Sequence, residues 1–194
     1  MLEPPSIHRD QICFALLPMT VPEHPTLLLV DDEPDLLMSL EGLLRQKFQL
    51  HTAEDAEAAL EIVDSQEIQV VMSDQRMPGM MGDALLAEIS RRSPATIRIL
   101  LTGYADIQDV IRALNTGGLF RYLTKPWDLD ELLDVLNEAA ELYRANQRQQ
   151  ARDEQSQRFI QQTMQFLETL PNSATQTALL EQGRGLSDSE SVAS

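Results

Sequence analysis

Between residues 26 and 139, short apolar runs alternate five times with stretches whose leucines and alanines recur at helical spacing. That rhythm restricts the fold more than any other property of the chain. Residues 26–30, 48–51, 70–73, 97–101 and 121–123 read as strands, several of them apolar almost throughout. Helical periods cover 34–47 (Leu36, Leu37, Leu40, Leu43, Leu44), 56–64 (Ala59, Leu60, Val63) and 82–92 (Leu85, Leu86, Ile89). A further helix is expected over 106–115, and another from Asp128 onward (Leu129, Leu132, Leu133, Leu136, Ala139). The boundaries have local causes. Pro34 suits a first helical turn, Glu54-Asp55 gives an acidic helix start, Gly117-Gly118 stops a helix, and Asp128 can cap one. Continuous apolar strands alternating with helices imply an α/β domain, a parallel sheet covered on both faces and doubly wound.

The flanks read differently. Pro4, Pro5, Pro18, Pro22 and Pro25 make regular structure improbable over 1–25, so a flexible extension is expected there, with Met19 as a candidate start. After Leu142-Tyr143 the apolar stripe fades, then returns at Phe159, Ile160, Met164, Leu167 and Leu170. No Gly or Pro interrupts 128–170, which allows one long helix whose extension over 146–170 needs a partner to be stable. From Pro171 the composition turns to Ser, Thr, Gln and Gly, and residues 171–194 read as a disordered tail.

Charge and cysteine use exclude several functions. A formal net charge of −16 is a poor match for phosphate backbones. The local excess from Arg144 to Arg158 is four Arg against Asp153 and Glu154, too small for a nucleic-acid module. The single cysteine, Cys13, permits no internal disulfide and suits a reducing compartment. No apolar run approaches the roughly 20 residues a bilayer needs. The segment 12–19 lacks the flanks of a signal peptide. A cytoplasmic protein bound to neither membrane nor nucleic acid is expected.

Four groups that follow predicted strands carry the chemistry: Asp31-Asp32, Asp74, Thr102 and Lys125-Pro126. In open α/β sheets, reactive groups lie at the carboxyl ends of strands. Each residue alone has a plainer role. An acidic triplet Asp31-Asp32-Glu33 can simply open a loop, Thr102 can end a strand, and Lys125 can be a solvated surface charge. Together they meet the needs of phosphoryl transfer to a carboxylate. Three acids brought close repel one another, and a magnesium ion with few protein ligands removes the conflict. Lys125 and the Thr102 hydroxyl would then face the phosphoryl oxygens. Lys-Pro can adopt a cis peptide. Tyr122 is either a half-buried edge aromatic or a ring that moves inward with Thr102. Trp127 reads as a packing anchor for the last helix. Arg76 and Tyr104 are candidates to flank the pocket, and the three histidines show no ligand spacing.

Residues from about 26 to 145 resemble a two-component response-regulator receiver domain of the chemotaxis-regulator type. The resemblance rests on Val30-Asp31-Asp32-Glu33, on Ser73-Asp74-Gln75-Arg76-Met77-Pro78-Gly79 with Gly82, on Leu101-Thr102-Gly103, and on Tyr122-Leu123-Thr124-Lys125-Pro126. It implies a flavodoxin-like sheet of order 2-1-3-4-5. It assigns phosphoryl acceptance to Asp74, and Mg²⁺ binding to Asp31, Asp32, Asp74 and the backbone carbonyl of Arg76. Thr102 and Lys125 are assigned to the phosphoryl group, and Tyr122 to the switch. The implied partners are a histidine kinase or phosphotransfer protein and a downstream protein, with the extended helix a candidate for homodimerisation. The implied chemistry is that of a signalling phosphoprotein rather than an enzyme.

The stretches 102–106 and 122–127 resemble receivers that precede HD-type cyclic-dinucleotide phosphodiesterase domains. Residues 146–194 hold no His/Asp cluster of that kind and are too few and too acidic for a typical winged helix, so a stand-alone receiver is expected. A truncated regulatory part of such a phosphodiesterase-type regulator is one alternative, and an interaction module indifferent to phosphate is another. A haloacid-dehalogenase type of enzyme fits less well, because it carries its nucleophile after the first strand in an Asp-x-Asp pattern.

Overall fold

The computed structural model describes residues 24–103 and 119–169. The expected helix over 106–115, Tyr104, the extension up to residue 23 and the tail over 171–194 lie outside them. In chain order come β1 (Thr26–Val30), α1 (Pro34–Leu44), β2 (Gln49–Ala53), α2 (Ala56–Ser65) and β3 (Val70–Asp74). Then follow α3 (Gly82–Arg92), β4 (Ile97–Thr102), β5 (Arg121–Thr124) and a C-terminal helix (Leu129–Thr169). The strands form one parallel sheet of order β2-β1-β3-β4-β5, as the resemblance implied.

Strands β1 and β3 are buried at every position, which is why their sequences do not alternate with polar residues. Successive side chains point to opposite faces and build two cores. Leu27, Leu29 and Met72 meet α1 and the C-terminal helix through Leu37, Leu40, Leu132 and Leu136. Leu28, Val30 and Val71 meet α2 and α3 through Ala59, Val63, Leu85 and Ile89. Each fully buried leucine or valine contributes roughly 1.5–3 kcal/mol. The central strands are therefore the stiffest place from which to hang a site.

Strand β2 runs two residues past its expected end, to Ala53, and two boundaries at the α1–β2 junction differ from expectation for one reason. Helix α1 ends at Leu44, and both Lys47 and Phe48 donate their N–H to the Leu44 carbonyl in a tight turn. Phe48, predicted to begin a strand, instead plugs the core beside Leu37, Leu40 and Leu44, and β2 starts one residue later. The helical twist carries Leu43 away from the buried stripe of Leu37, Leu40 and Leu44, leaving it exposed. Capping follows the sequence elsewhere. The Asp55 carboxylate accepts from Ala58 N at 2.8 Å, and that of Asp128 from Asp130 N at 2.8 Å.

The C-terminal helix runs unbroken to Thr169, 41 residues or about 60 Å at 1.5 Å per residue. Its first part is fixed to the domain by Leu132, Val135, Leu136, Ala139, Ala140 and Tyr143. Arg121 of β5 forks onto both carboxylate oxygens of Glu138, and Tyr143 Oη donates to Glu67 at 2.8 Å. Past Gln147 the described side chains are mostly exposed, Phe159 and Phe166 among them. No helix among the described residues is long and apolar enough to cross a membrane.

Candidate functional site

Strand register builds the site. Val30 pairs with Ser73, so the next residues, Asp31 and Asp74, emerge side by side at the carboxyl ends of the two central strands. Thr102 pairs with Thr124 at the β4–β5 seam, which brings Lys125 out beside them. Both acids are buried, Asp31 at 2% exposure and Asp74 at 7%. Lys125 Nζ lies 3.0 Å from Asp31 Oδ2 and 2.5 Å from Asp74 Oδ1. Backbone donors hold the other two oxygens: Glu33 N meets Asp31 Oδ1 at 2.9 Å, and Arg76 N meets Asp74 Oδ2 at 2.6 Å.

A buried charge is costly unless it is paired and hydrogen-bonded. Here one ammonium serves two carboxylates. Burial by itself pulls the Lys125 ammonium down. The hydrogen bonds and charges of Asp74 and Asp31 outweigh that pull, so its pKa is raised above the ordinary lysine value. Lys125 therefore stays charged throughout the physiological range. Its backbone N–H donates to the Thr102 carbonyl at 2.8 Å, and the Lys125-Pro126 peptide is cis, as the sequence allowed.

The remaining predicted residues are placed less tightly. Asp32 is exposed beside the buried pair, so two of the three acids converge on Lys125 and the third stands at the rim. Thr102 is buried, with its hydroxyl donating to the Gly103 carbonyl at 3.2 Å. Tyr122, on β5, is 45% exposed, its ring outward. Trp127 packs against the core at the start of the last helix, as expected.

Two supporting residues were quoted in the motif without a role. Gln75 is buried and clamps the start of α3: its carbonyl accepts from Gly82 N and its Oε1 from Asp83 N, both at 3.0 Å. Gly82 is the counterpart. A Cβ there would overlap the Asp74 carbonyl, so only glycine lets α3 begin against the backbone of that acid. Between them Gly79 turns the chain at φ 81°, a left-handed value glycine adopts freely. The signal for the clamp was present in the glycine spacing after Asp74. Its meaning needed the close approach of helix to strand.

The donor set suits a hard divalent cation. Asp31, Asp32 and Asp74 carry three negative charges against one positive charge on Lys125, and 3 − 1 leaves two in excess. All the available donors are oxygens. Magnesium takes such ligands, usually keeps several waters and needs few from the protein. Among the described residues no three His, Cys, Asp or Glu side chains already stand as a metal cage. Lys125 now neutralises part of the charge that a cation would meet.

Several known proteins resemble this chain over the sheet domain. The hydrogenase transcriptional regulatory protein HoxA of Cupriavidus necator is 37% identical over 116 residues, covering 60% of this chain and 24% of that protein. The DNA-binding transcriptional regulator NtrC of Escherichia coli is 35% identical over 119 residues, covering 61% of this chain and 25% of that protein. The chain thus spans about a quarter of the length of these curated relatives. A crystal structure of the signal receiver domain of an HD domain-containing protein from Pseudomonas fluorescens superposes with a TM-score of 0.63. It is 42% identical, and the match covers 66% of this chain and 96% of that one. The response regulator receiver domain family matches residues 27–137, more than half of the sequence. With the sheet order and the paired acids of β1 and β3 already in view, the chain belongs to the response-regulator receiver family.

Proposed function

We propose that this protein is a phosphoacceptor in a two-component phosphorelay, with Asp74 taking a phosphoryl group from a histidine kinase or a phosphotransfer protein. The observation that carries the reading is the Lys125 ammonium held between the buried carboxylates of Asp31 and Asp74. An oxygen of Asp74 forms a bond to phosphorus while the bond from phosphorus to the donor's nitrogen breaks, the electron pair leaving with that nitrogen. Arg76 N–H holds the other carboxylate oxygen and so orients the acid. Lys125 neutralises charge on the transferred group, and Thr102, one pairing away, offers its hydroxyl. Asp31, Asp32, Asp74 and the backbone carbonyl of Arg76 would hold the magnesium ion, which when bound neutralises the phosphoryl oxygens.

The output is a shift between two arrangements. Thr102 leaves its local bond to Gly103 for the phosphoryl group, and the outward ring of Tyr122 follows it inward. In this reading the receiver occupies residues 26–145, works in the cytoplasm and is read by a partner protein or a second copy through the helical extension over 146–170. Transcriptional regulation belongs to the relatives' names and to their much longer chains.

The test is incubation with acetyl phosphate and Mg²⁺ followed by intact-mass measurement. The native chain should gain one phosphoryl group and Asp74→Asn none, with the fold retained by circular dichroism. No gain on the native chain, or a gain that survives Asp74→Asn, overturns the reading.

A further inference from the structure

Lys125 reaches the acid pair on four flexible methylenes, and holding its ammonium at one point costs rotamer freedom. The carboxylates of Asp31 and Asp74 attract it from one side. On its flank stands a neutral group: Nζ lies over the Trp127 ring, 5.8 Å from the centroid. An ammonium within about 6 Å of a ring centroid is drawn to the π face. The ring is itself fixed. Trp127 is half-buried against the core that holds Leu123, Leu132 and Leu136, and the next residue, Asp128, caps the C-terminal helix.

We propose that Trp127 is a positioning residue for Lys125, its π face holding the ammonium at the mouth of the Asp31–Asp74 pair. The functional part of this inference rests on the phosphoacceptor reading. Phosphorylation turns the Asp74 carboxylate into an acyl phosphate and moves its negative charge out to the phosphoryl oxygens, so one of the two anionic partners of Lys125 changes place. The ring is a partner that the reaction leaves unaltered, so the ammonium stays where the phosphoryl oxygens need it. A purely packing role makes a different demand: it asks for apolar bulk at position 127, and leucine would meet it nearly as well as phenylalanine.

The composition makes the pair easy to observe. The chain has one tryptophan and two lysines, Lys47 and Lys125, so lysine labelled with ¹³C at the ε position gives two assignable signals. Lys47 is exposed and serves as the reference. The ε protons of Lys125 should be shifted upfield by the indole ring current and show Overhauser contacts to it. Trp127→Phe should keep part of the shift, and Trp127→Leu should bring the signal close to that of Lys47. The initial rate of acyl-phosphate formation from acetyl phosphate should fall about two- to five-fold in Trp127→Leu and less in Trp127→Phe. An unshifted Lys125 signal in the native protein overturns the proposal, as does equal phosphorylation of the two variants. The native spectrum needs no variant, so it decides the matter if Trp127→Leu fails to fold. If the native chain takes no phosphoryl group, the phosphoacceptor reading fails, and the spectrum alone judges the contact: shifted supports it, unshifted sinks it.

Discussion

At the amino ends of the strands the buried polar residues are Thr26, Gln69 and Thr96; at the carboxyl ends they include Asp31, Asp74 and Thr102. The degree of burial is the same and the chemistry is not. At the amino end the Thr96 hydroxyl bonds the Ile68 carbonyl at 2.7 Å and shares a second bond with Ser93 Oγ. Gln69 gives its N–H to Thr26 and accepts from Ile97. Every one of these partners is neutral and close in the fold, and such bonds contribute about 1 kcal/mol each to stability. The carboxyl end buries two carboxylates around one ammonium, an arrangement that is rarely the most stable way to fill the space. Each end also leaves one buried carboxamide atom without a partner among the described residues, Gln69 Oε1 and Gln75 Nε2, so imperfect pairing does not distinguish them. Charge does. Buried neutral bonds hold the architecture together, and buried charge marks the end where chemistry is expected.

That contrast can be broken by substitution. The largest combined effect is expected from Gly82→Ala, where the new methyl overlaps the Asp74 carbonyl and forces α3 away. Overpacking of this kind costs about 2–3 kcal/mol, read as a lower urea midpoint, and acyl-phosphate formation should slow with it. Asp74→Asn should separate the two readouts from one side, losing phosphorylation while keeping the fold. Thr96→Val should separate them from the other. Loss of its bond to Ile68 should lower stability by about 1–2 kcal/mol and leave the phosphorylation rate unchanged. A Thr96→Val protein that phosphorylates as poorly as Gly82→Ala would mean the two ends are not independent.

The smallest effect is one of pH. Burial, and then the hydrogen bond to Glu67, push the Tyr143 hydroxyl from 10.0 up to about 12, against a weaker opposite pull from Gln147. The folded chain therefore keeps this proton where the unfolded chain has already lost it. The stability it contributes is complete below about pH 10 and is lost as the pH rises to about 12. Tyr143→Phe should cost about 1 kcal/mol at neutral pH through the lost bond and show a shallower fall of the urea midpoint above pH 10. Identical alkaline profiles for the two proteins would rule out this account of Tyr143.

The two ends were also unequally legible. Apolar runs that close on Asp, Asp, Thr and Lys can be read without a structure, because strand ends and reactive side chains coincide there. Thr96 and Gln69 sit at strand starts and look like any loop residue, since their bonds go to backbone atoms far away in sequence. Leu43 looked like part of a buried stripe until the end of α1 fixed which face turns inward. Gln75 and Gly82 were visible as motif letters, but a clamp between a strand end and a helix start depends on distance, which spacing alone does not encode. The partnership of Lys125 with Trp127 was hidden for a simpler reason. Spacing alone does not say whether a flexible lysine side chain turns towards a ring two residues on, and both readings of Trp127 begin with the same packed ring.

The C-terminal helix has a mechanical consequence. Its fixed portion ends near Gln147, which bonds Tyr143 Oη at 3.0 Å. From there to Thr169 the rod extends about 33 Å at 1.5 Å per residue. A change of about 10° in how the fixed portion lies on the sheet would sweep its far tip through about 6 Å. The same tilt would move Phe159 by about 3 Å and Phe166 by about 5 Å, a lever whose fulcrum is the Tyr143–Glu67 bond.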